Sequence, residues 1–483
     1  MTGGPHSTAR SAAARVLLFA ACCAGVAGGA ALWAYATRGK TSSATEMSRG
    51  ARRELPIPQV APYLDAAPSP VDGQGAATLV PAKPVPVRSG GNFEMVFTVG
   101  EAGVRPGGFV LLQIPPWWGW TQPQTRRPDG PGYVEVTTSF HDPALQTRTL
   151  PFHRVIVYSH ERGFRPGETI TFRYCNAQAD RFAETEELFQ IFVDADGDGH
   201  AACIKQCPTL AITAGPARKL CVNAPSQVQP RTPIAITAAP VDAVGNWSAF
   251  PQGTYTIEIK SIRDGNLTTE TSLEVSEHQK TLTFDCVVNE EGAHFFHVQG
   301  PSGLEGYSNV CLSQEGTPGL KLYFGDIHGH SRMSDGTGTP EDYYRYARRV
   351  SGLDIAALTD HVDYGTLPIK GEYWERIKAA ANDANEPGRF VTFLGYEWTS
   401  WTYGHRNVYF RDNSGPVFRS IDPESDTPQE LWRLLEPFEA MTVAHHVGGG
   451  PIHTDWTIPP DPRERLVEVC SIHGASEYFG GRT

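Results

Sequence analysis

What the sequence lacks narrows the field first. No Lys/Arg-rich run or face appears anywhere, and 41 basic against 53 acidic side chains leave a formal charge of −12, which excludes a nucleic-acid binder that works through a basic surface. The mild acidity fits solubility better than a cationic partner. A general signature of disorder is absent, and the composition is that of a folded soluble protein. Residues 86–315 contain no long stretch of helical periodicity. No glycine-rich phosphate loop or arginine cluster is evident. Cysteine is sparse, at nine residues, and no second pair at zinc-finger spacing accompanies Cys203-x-x-x-Cys207. Six of the nine (Cys175, Cys203, Cys207, Cys221, Cys286, Cys311) fall mid-chain, an even number that suits disulfides in an exported protein. Cys286 and Cys311 are candidates to bridge strands of one domain.

Export is suggested by the N-terminus. Val16 to Ala36 carries no charge, follows Arg10 and Arg15, and ends in Ala34-Tyr35-Ala36, an A-x-A cleavage pattern. About 20 apolar residues also suffice to span a bilayer. Residues 1–40 therefore read either as a cleaved signal peptide or as an uncleaved membrane anchor. Either places the protein in the cell envelope, periplasmic or extracellular, secreted or anchored. Residues 41–85, rich in Pro, Ala, Ser and Gly, read as an extended linker.

The length of 483 residues predicts about three folded units. Short apolar segments bounded by Gly, Pro and Asp clusters predict a β-sandwich over 86–215 and an immunoglobulin-like β domain over 216–317. Asp194-x-Asp196-x-Asp198-Gly199 looks like the start of a calcium loop, but position twelve is Lys205 where a bidentate Glu is needed, so a polar turn is the better reading. From 318 the pattern changes to strands alternating with helices, which predicts βα units in a barrel or open sheet. Thr339-Pro340-Glu341-Asp342 and Thr427-Pro428-Gln429-Glu430 have the grammar of helix starts: a Thr cap, Pro in the first turn, acids near the positive helix end.

The metal-capable side chains fall at predicted strand ends. Asp326-Ile327-His328-Gly329-His330 closes one strand, with Asp335 beyond it. Thr359-Asp360-His361, Gly395-Tyr396-Glu397 and Ala444-His445-His446 close others. In α/β barrels such ends converge on the active site. His405 opens its strand, so it joins the others only through an antiparallel strand or a loop. Half of the sixteen histidines lie beyond residue 320. Imidazole nitrogen with carboxylate oxygen suits Zn, Mn or Fe, and Glu397 is placed to bridge two ions. His446, His453 and His473 stay unassigned, and Arg406 is the best candidate for an anion contact.

At these residues the chain resembles the PHP (polymerase and histidinol phosphatase) superfamily of metal-dependent phosphoesterases. Gly325-Asp326-Ile327-His328-Gly329-His330-Ser331 with Ser334-Asp335-Gly336 looks like its first motif, Leu358-Thr359-Asp360-His361 the second, Gly395-x-Glu397 the third, and Ala444-His445 a later one. The closer similarity is to a bacterial PHP-like family of unknown function with an export signal and a β-rich N-terminal region, a likeness also carried by Asp242-x-x-Gly245-Asn246 and Gly338-Thr339-Pro340-Glu341-Asp342-Tyr343-Tyr344. The resemblance implies a distorted βα (PHP/TIM-like) barrel over 318–483 holding two or three divalent metals on His328, His330, Asp335, His361, Glu397, His405 and His445. An Asp-x-His motif that usually ends such domains does not follow His445, so the barrel is expected to be incomplete.

The resulting expectation is an exported metal-dependent hydrolase, a phosphoesterase by resemblance. Asp335 and His361 are the candidates for holding a third ion or transferring a proton, and Arg406 for contacting the anion. The substrate, small molecule or polymer, is open; nucleic acid is not expected, and the membrane is a partner if the N-terminal segment is retained. Two alternatives stand: an amidohydrolase-type enzyme using similar ligands, and a cell-envelope binding protein for carbohydrate or protein with an inactive C-terminal domain. Trp117-Trp118-Gly119-Trp120 favours the last if the indoles are exposed, and not if they fill a core or an inter-domain joint.

Overall fold

A computed structural model describes residues 56–477, except 62, 63, 65–67, 264, 266, 277, 317, 318, 366, 367 and 449–451. The N-terminal apolar segment and the linker up to residue 55 lie outside the described residues. Among those described, no helix is long and apolar enough to cross a membrane.

The first unit is built on strand alternation. Phe93, Met95, Phe97 and Val99 point inward from Gly90–Val99, and Ile170, Phe172 and Tyr174 do so from Thr169–Gln178. These strands centre a four-stranded antiparallel sheet, which shares its core with a five-stranded sheet around Phe109–Gln113. The unbroken run Phe109-Val110-Leu111-Leu112 is explained by burial on both faces. Val110 and Leu112 face the shared core, while Phe109 and Leu111 join Leu64, Tyr158 and Phe192 in a second layer. The strand Gly75–Val80 pairs with Gly90–Val99, so the first unit begins inside the segment expected to be linker. With only Leu79 buried along it and prolines beyond it, its composition hides a strand.

The second unit pairs Lys219–Asn223, Pro233–Val241 and Leu282–Val287 in one sheet, and faces it with a sheet centred on Gly253–Ser261 and Gly292–Gln299. Ile236, Tyr255, Ile257, Phe284 and Phe296 fill the core between them, with the Cys286 and Cys311 thiols buried among them. Each remains a separate thiol, which burial pushes up to about 11. In the first unit the sulfurs of Cys203 and Cys207 lie 3.4 Å apart.

The third unit departs from expectation. Its strands are β1 (Gly325–Asp326), β2 (Ile355–Leu358), β3 (Val391–Trp398), β4 (Arg406–Phe410), β5 (Ala440–Ala444) and β6 (Leu466–Val467), in that spatial order. The PHP/TIM-like βα barrel is not formed. The sheet is open and mixed, β1 and β6 do not pair, and only three α-helices occur among the described residues: α1 (Pro340–Arg349), α2 (Glu372–Ala384) and α3 (Pro428–Leu434). The molecule as a whole is mostly β-sheet. Two features defeat closure. β4 runs antiparallel to both neighbours, breaking the βα alternation, and both edge strands are two residues long, too short for a continuous ladder. The sheet nonetheless curls. The Tyr409 hydroxyl on β4 donates to the Ile327 carbonyl beside β1 at 2.7 Å, although strands three places apart in a flat sheet stand about 14 Å from one another.

The helices cover the outer face. Leu394, Tyr396, Trp398, Val408 and Phe410 pack there against Tyr344, Trp374, Ile377 and Leu431. Thr339 caps α1 in a reciprocal box with Asp342, and Thr427 caps α3 by accepting from the Glu430 N–H. The inner, concave face is left for Glu397, Asn407 and Tyr409, the alternate residues of the same strands.

Candidate metal centre

Strand direction gathers the site. β2, β3 and β5 end where antiparallel β4 begins, since Trp398 pairs with Arg406 and Arg406 with Ala444. His405 thus sits at the same edge as Glu397 and His445, as the antiparallel alternative requires. His361 follows β2 and bridges Glu397 in backbone register. His328 and His330 follow β1.

Glu397 is the hub. It is fully buried, and its Oε2 lies 3.1 Å from His328 Nε2, 3.4 Å from His330 Nε2 and 3.5 Å from His361 Nδ1. His330, Asp335 and His361 form a second group whose ligand atoms all lie within 4.8 Å of one another, and His361, Glu397 and His405 a third. All seven expected ligands therefore come together. The close spacing of the loop after β1 explains its glycines: a Cβ on Gly329 would stand 2.5 Å from the Tyr343 ring, and one on Gly336 only 2.1 Å from the His330 carbonyl oxygen. Buried Asp360 fixes this loop by accepting from the Ser331 N–H, the Ser331 hydroxyl and the Ser334 hydroxyl at 2.6–2.7 Å.

Arg406 does not join them. It points to the other face of β4, where its Nε donates to Glu464 at 3.0 Å and one of its other nitrogens to the carbonyls of Tyr403 and Gly404. Both partners of this ion pair are almost wholly buried. The expected anion contact is a structural residue, because alternation along the strand sends Arg406 outward and its neighbour Asn407 inward.

Four residues that the sequence reading did not assign line the site. Glu468, just after β6, sets its Oε2 2.5 Å from His328 Nδ1 and 3.3 Å from His445 Nδ1, linking the two open edges of the sheet. Asn407 Nδ2 lies 3.0 Å from His328 Nδ1. His446 and His473 form a further group with His445. The signal for Glu468 was present: it is a strand-end carboxylate like the others. It becomes one only because β6 stops at Val467.

The electrostatics follow from burying many imidazoles around three carboxylates. Burial works against the charged Glu397, but His361 and His328 hold its carboxyl well below the usual range. His328 is buried yet raised to about 10 by Glu397 and Glu468. Desolvation lowers His330 and His405 to about 4 and His361 well below its ordinary value. Asp335 is pushed up to about 6 by burial and by Glu397. Neutral imidazoles present lone pairs, the form a metal takes.

The donor set fits divalent ions. Glu397 Oε1, Asp335 Oδ1 and His405 Nδ1 are buried without a hydrogen-bond partner, an expensive state for polar atoms that coordination relieves. Aromatic rings close one side: Tyr364 stands 5.3 Å from the His361 ring and 5.4 Å from Trp117 of the first unit, and Trp401 lies 6.0 Å from His405. Trp118 donates its indole N–H to the Asp335 carbonyl at 2.7 Å, while Trp120 packs inside the first unit against Phe93 and Phe189. The tryptophan cluster thus forms an inter-unit joint. Asp242 and Asn246 serve similarly, Asn246 bonding to Arg181 and Ala183 of the first unit. Asp194 spends both carboxylate oxygens on the Gly197 and Gly199 N–H groups, as a polar turn does.

Residues 355–450 match the family described as "Protein of unknown function (DUF3604)", a span from β2 through His445. An uncharacterized protein of Chlamydia pneumoniae is 23% identical over 303 residues, 62% of this chain and 48% of that protein, so the chain spans about half the length of the curated relative. Among solved structures, the pilus backbone RrgB of Streptococcus pneumoniae is similar at 11% identity, with a TM-score of 0.20, over 51% of this chain and 56% of that one. An α-2-macroglobulin of Escherichia coli is similar at 13% identity and a TM-score of 0.23, over 51% and 17%. Similarity this slight carries no argument about fold or function. The chain is therefore similar, over strands β2 to β5 of its site-bearing sheet, to a family whose function is not established.

Proposed function

We propose that the protein is a metal-dependent hydrolase acting on phosphoesters. The observation that carries this reading is the convergence of His328, His330, Asp335, His361, His405, His445 and Glu468 around fully buried Glu397, whose Oε1 has no partner within the protein. His328, His330, Glu397, His445 and Glu468 would hold one part of a polynuclear Zn, Mn or Fe centre, and Asp335, His361 and His405 the other. When bound, such ions polarise a phosphoryl oxygen and lower the pKa of water.

The chain's own residues account for the rest. Glu468 Oε2, accepting from His328 Nδ1–H, orients that ring and leaves Nε2 for the centre. Tyr364, Trp401 and Trp117 exclude water from one side. The preference for phosphorus is supported by the motif resemblance around His328-Gly329-His330 and His361, and export by the apolar N-terminal segment.

The test is turnover of a panel of phosphomonoesters and phosphodiesters by protein reconstituted with Zn, Mn or Fe. Hydrolysis that Glu397→Gln lowers at least about a hundredfold is the expected result. Hydrolysis of amides or lactones alone by the same protein would assign the amidohydrolase chemistry instead.

A further inference from the structure

Beside the metal centre a second polar cluster remains unexplained. A cleft between the first unit and the loop bearing His330 and Asp335 is lined by Trp117, Glu184 and Glu187 on one side and Arg332 and Gly336 on the other. Glu184 and Glu187 are 6% and 4% exposed, yet Oε2 of each accepts no hydrogen bond. Donors share this condition, for Trp117 Nε1 and Arg332 Nε are also buried without a partner. Arg332 spends its other nitrogens on Glu186. Side chains that line the cleft thus carry acceptors and donors without partners side by side.

That mixture selects the occupant. A metal ion or an ammonium group satisfies the carboxylates and leaves the indole and guanidinium N–H groups unmet. A phosphate or sulfate satisfies those donors and offers no donor to the Oε2 atoms of Glu184 and Glu187. A hydroxyl donates and accepts at once, so several hydroxyls on one rigid frame answer all four atoms.

We propose that this cleft binds a sugar ring, the polyhydroxylated part of the substrate, with Glu184 and Glu187 accepting from its hydroxyls and Trp117 Nε1 and Arg332 Nε donating to them. Recognition runs through these polar atoms and not through an exposed indole face, because Trp117 and Trp118 are already packed against Tyr364 and Phe182. The word substrate rests on the hydrolase reading; the binding of a sugar does not. Met333, Ser334 and Gly336 also line the cleft, which places it against the loop that carries Asp335.

The experiment is saturation-transfer NMR on the full chain with methyl glucoside, N-acetylglucosamine and myo-inositol. At least one probe should bind the wild type, about tenfold more weakly in Glu187→Gln and severalfold more weakly in Trp117→Phe, which keeps an aromatic ring and deletes only the N–H. Melting temperature and metal content serve as folding controls. Failure of all three probes to bind the wild type, or binding unchanged in both variants, overturns the inference. Sugar binding without turnover of any phosphoester would sink the hydrolase reading and leave the cleft assignment standing; turnover without sugar binding would do the reverse.

Discussion

His405 and Arg406 are neighbours in sequence and part company in space. One reaches the concave face through the strand's starting edge; the other turns outward into a buried pair with Glu464. Removing one partner of such a pair leaves a buried charge without compensation, and Arg406→Leu should lower unfolding free energy by about 3–5 kcal/mol in urea titrations. Metal content per folded chain should not change. A loss of metal or of substrate affinity at unaltered stability would instead place Arg406 in the site. The candidate ligands His328, His330, His361, Glu397 and His445 were legible because His and Glu at strand ends is a pattern that needs no knowledge of the fold, whereas Asp335 and His405 completed the set through the motif resemblance. Glu468 obeys the same rule once β6 is seen to end at Val467. Asn407 was legible only through the face it occupies, which depends on the direction of β4. His446, with its left-handed backbone, and His473 had no signal beyond their residue type.

At the scale of the element, the loop between β1 and α1 carries the most constraint. Gly336 lies against the His330 carbonyl so closely that no side chain fits. Gly336→Ala must therefore displace His330, and equilibrium metal binding should weaken at least about tenfold, the scale seen when the support of a ligand is removed. Thr339→Ala, at the cap of α1, should cost about 1 kcal/mol of stability and leave metal affinity unchanged; the comparison separates loop geometry from helix stability. The helix starts were legible because capping is local, carried by Thr, Pro and an acid within four residues. The barrel was expected because strands and helices alternate between 320 and 385. That alternation fails at the β3–β4 hairpin, where two strands follow one another without a helix. Local patterns reveal elements, while closure depends on how many strands pair and in which direction.

At the scale of the molecule, the first unit completes the surroundings of the site through Trp117 and Trp118, and it buries a cluster of acids at the joint. Burial pushes Glu187 up to about 8, with Asp180 adding to the effect and Trp120 and Arg332 opposing it. Glu184 is raised by burial, by Glu187 and by Asp180, and Asp180 is raised to about 6 by burial. An acid whose folded value exceeds its unfolded one keeps its proton longer when folded. Its contribution is thus fully present below the ordinary carboxylate range and is lost as pH rises through the folded value. Stability should fall between about pH 5 and 8, and Glu187→Gln should flatten that fall in denaturant titrations at several pH values. A slope unchanged by the substitution would remove Glu187 as its source. Of this joint only the tryptophan cluster was legible, as a candidate to fill a core or an inter-domain joint; Glu184, Glu187 and Arg332 meet it only after two units dock.

The claim on which the functional account stands is that the histidine and carboxylate cluster holds metal. Elemental mass spectrometry of the purified chain, wild type beside His328→Ala/His330→Ala, tests it most directly. The account predicts Zn, Mn or Fe near stoichiometry in the wild type and its loss in a double variant that remains folded. A folded wild type that holds none of these metals, even after reconstitution, would contradict it.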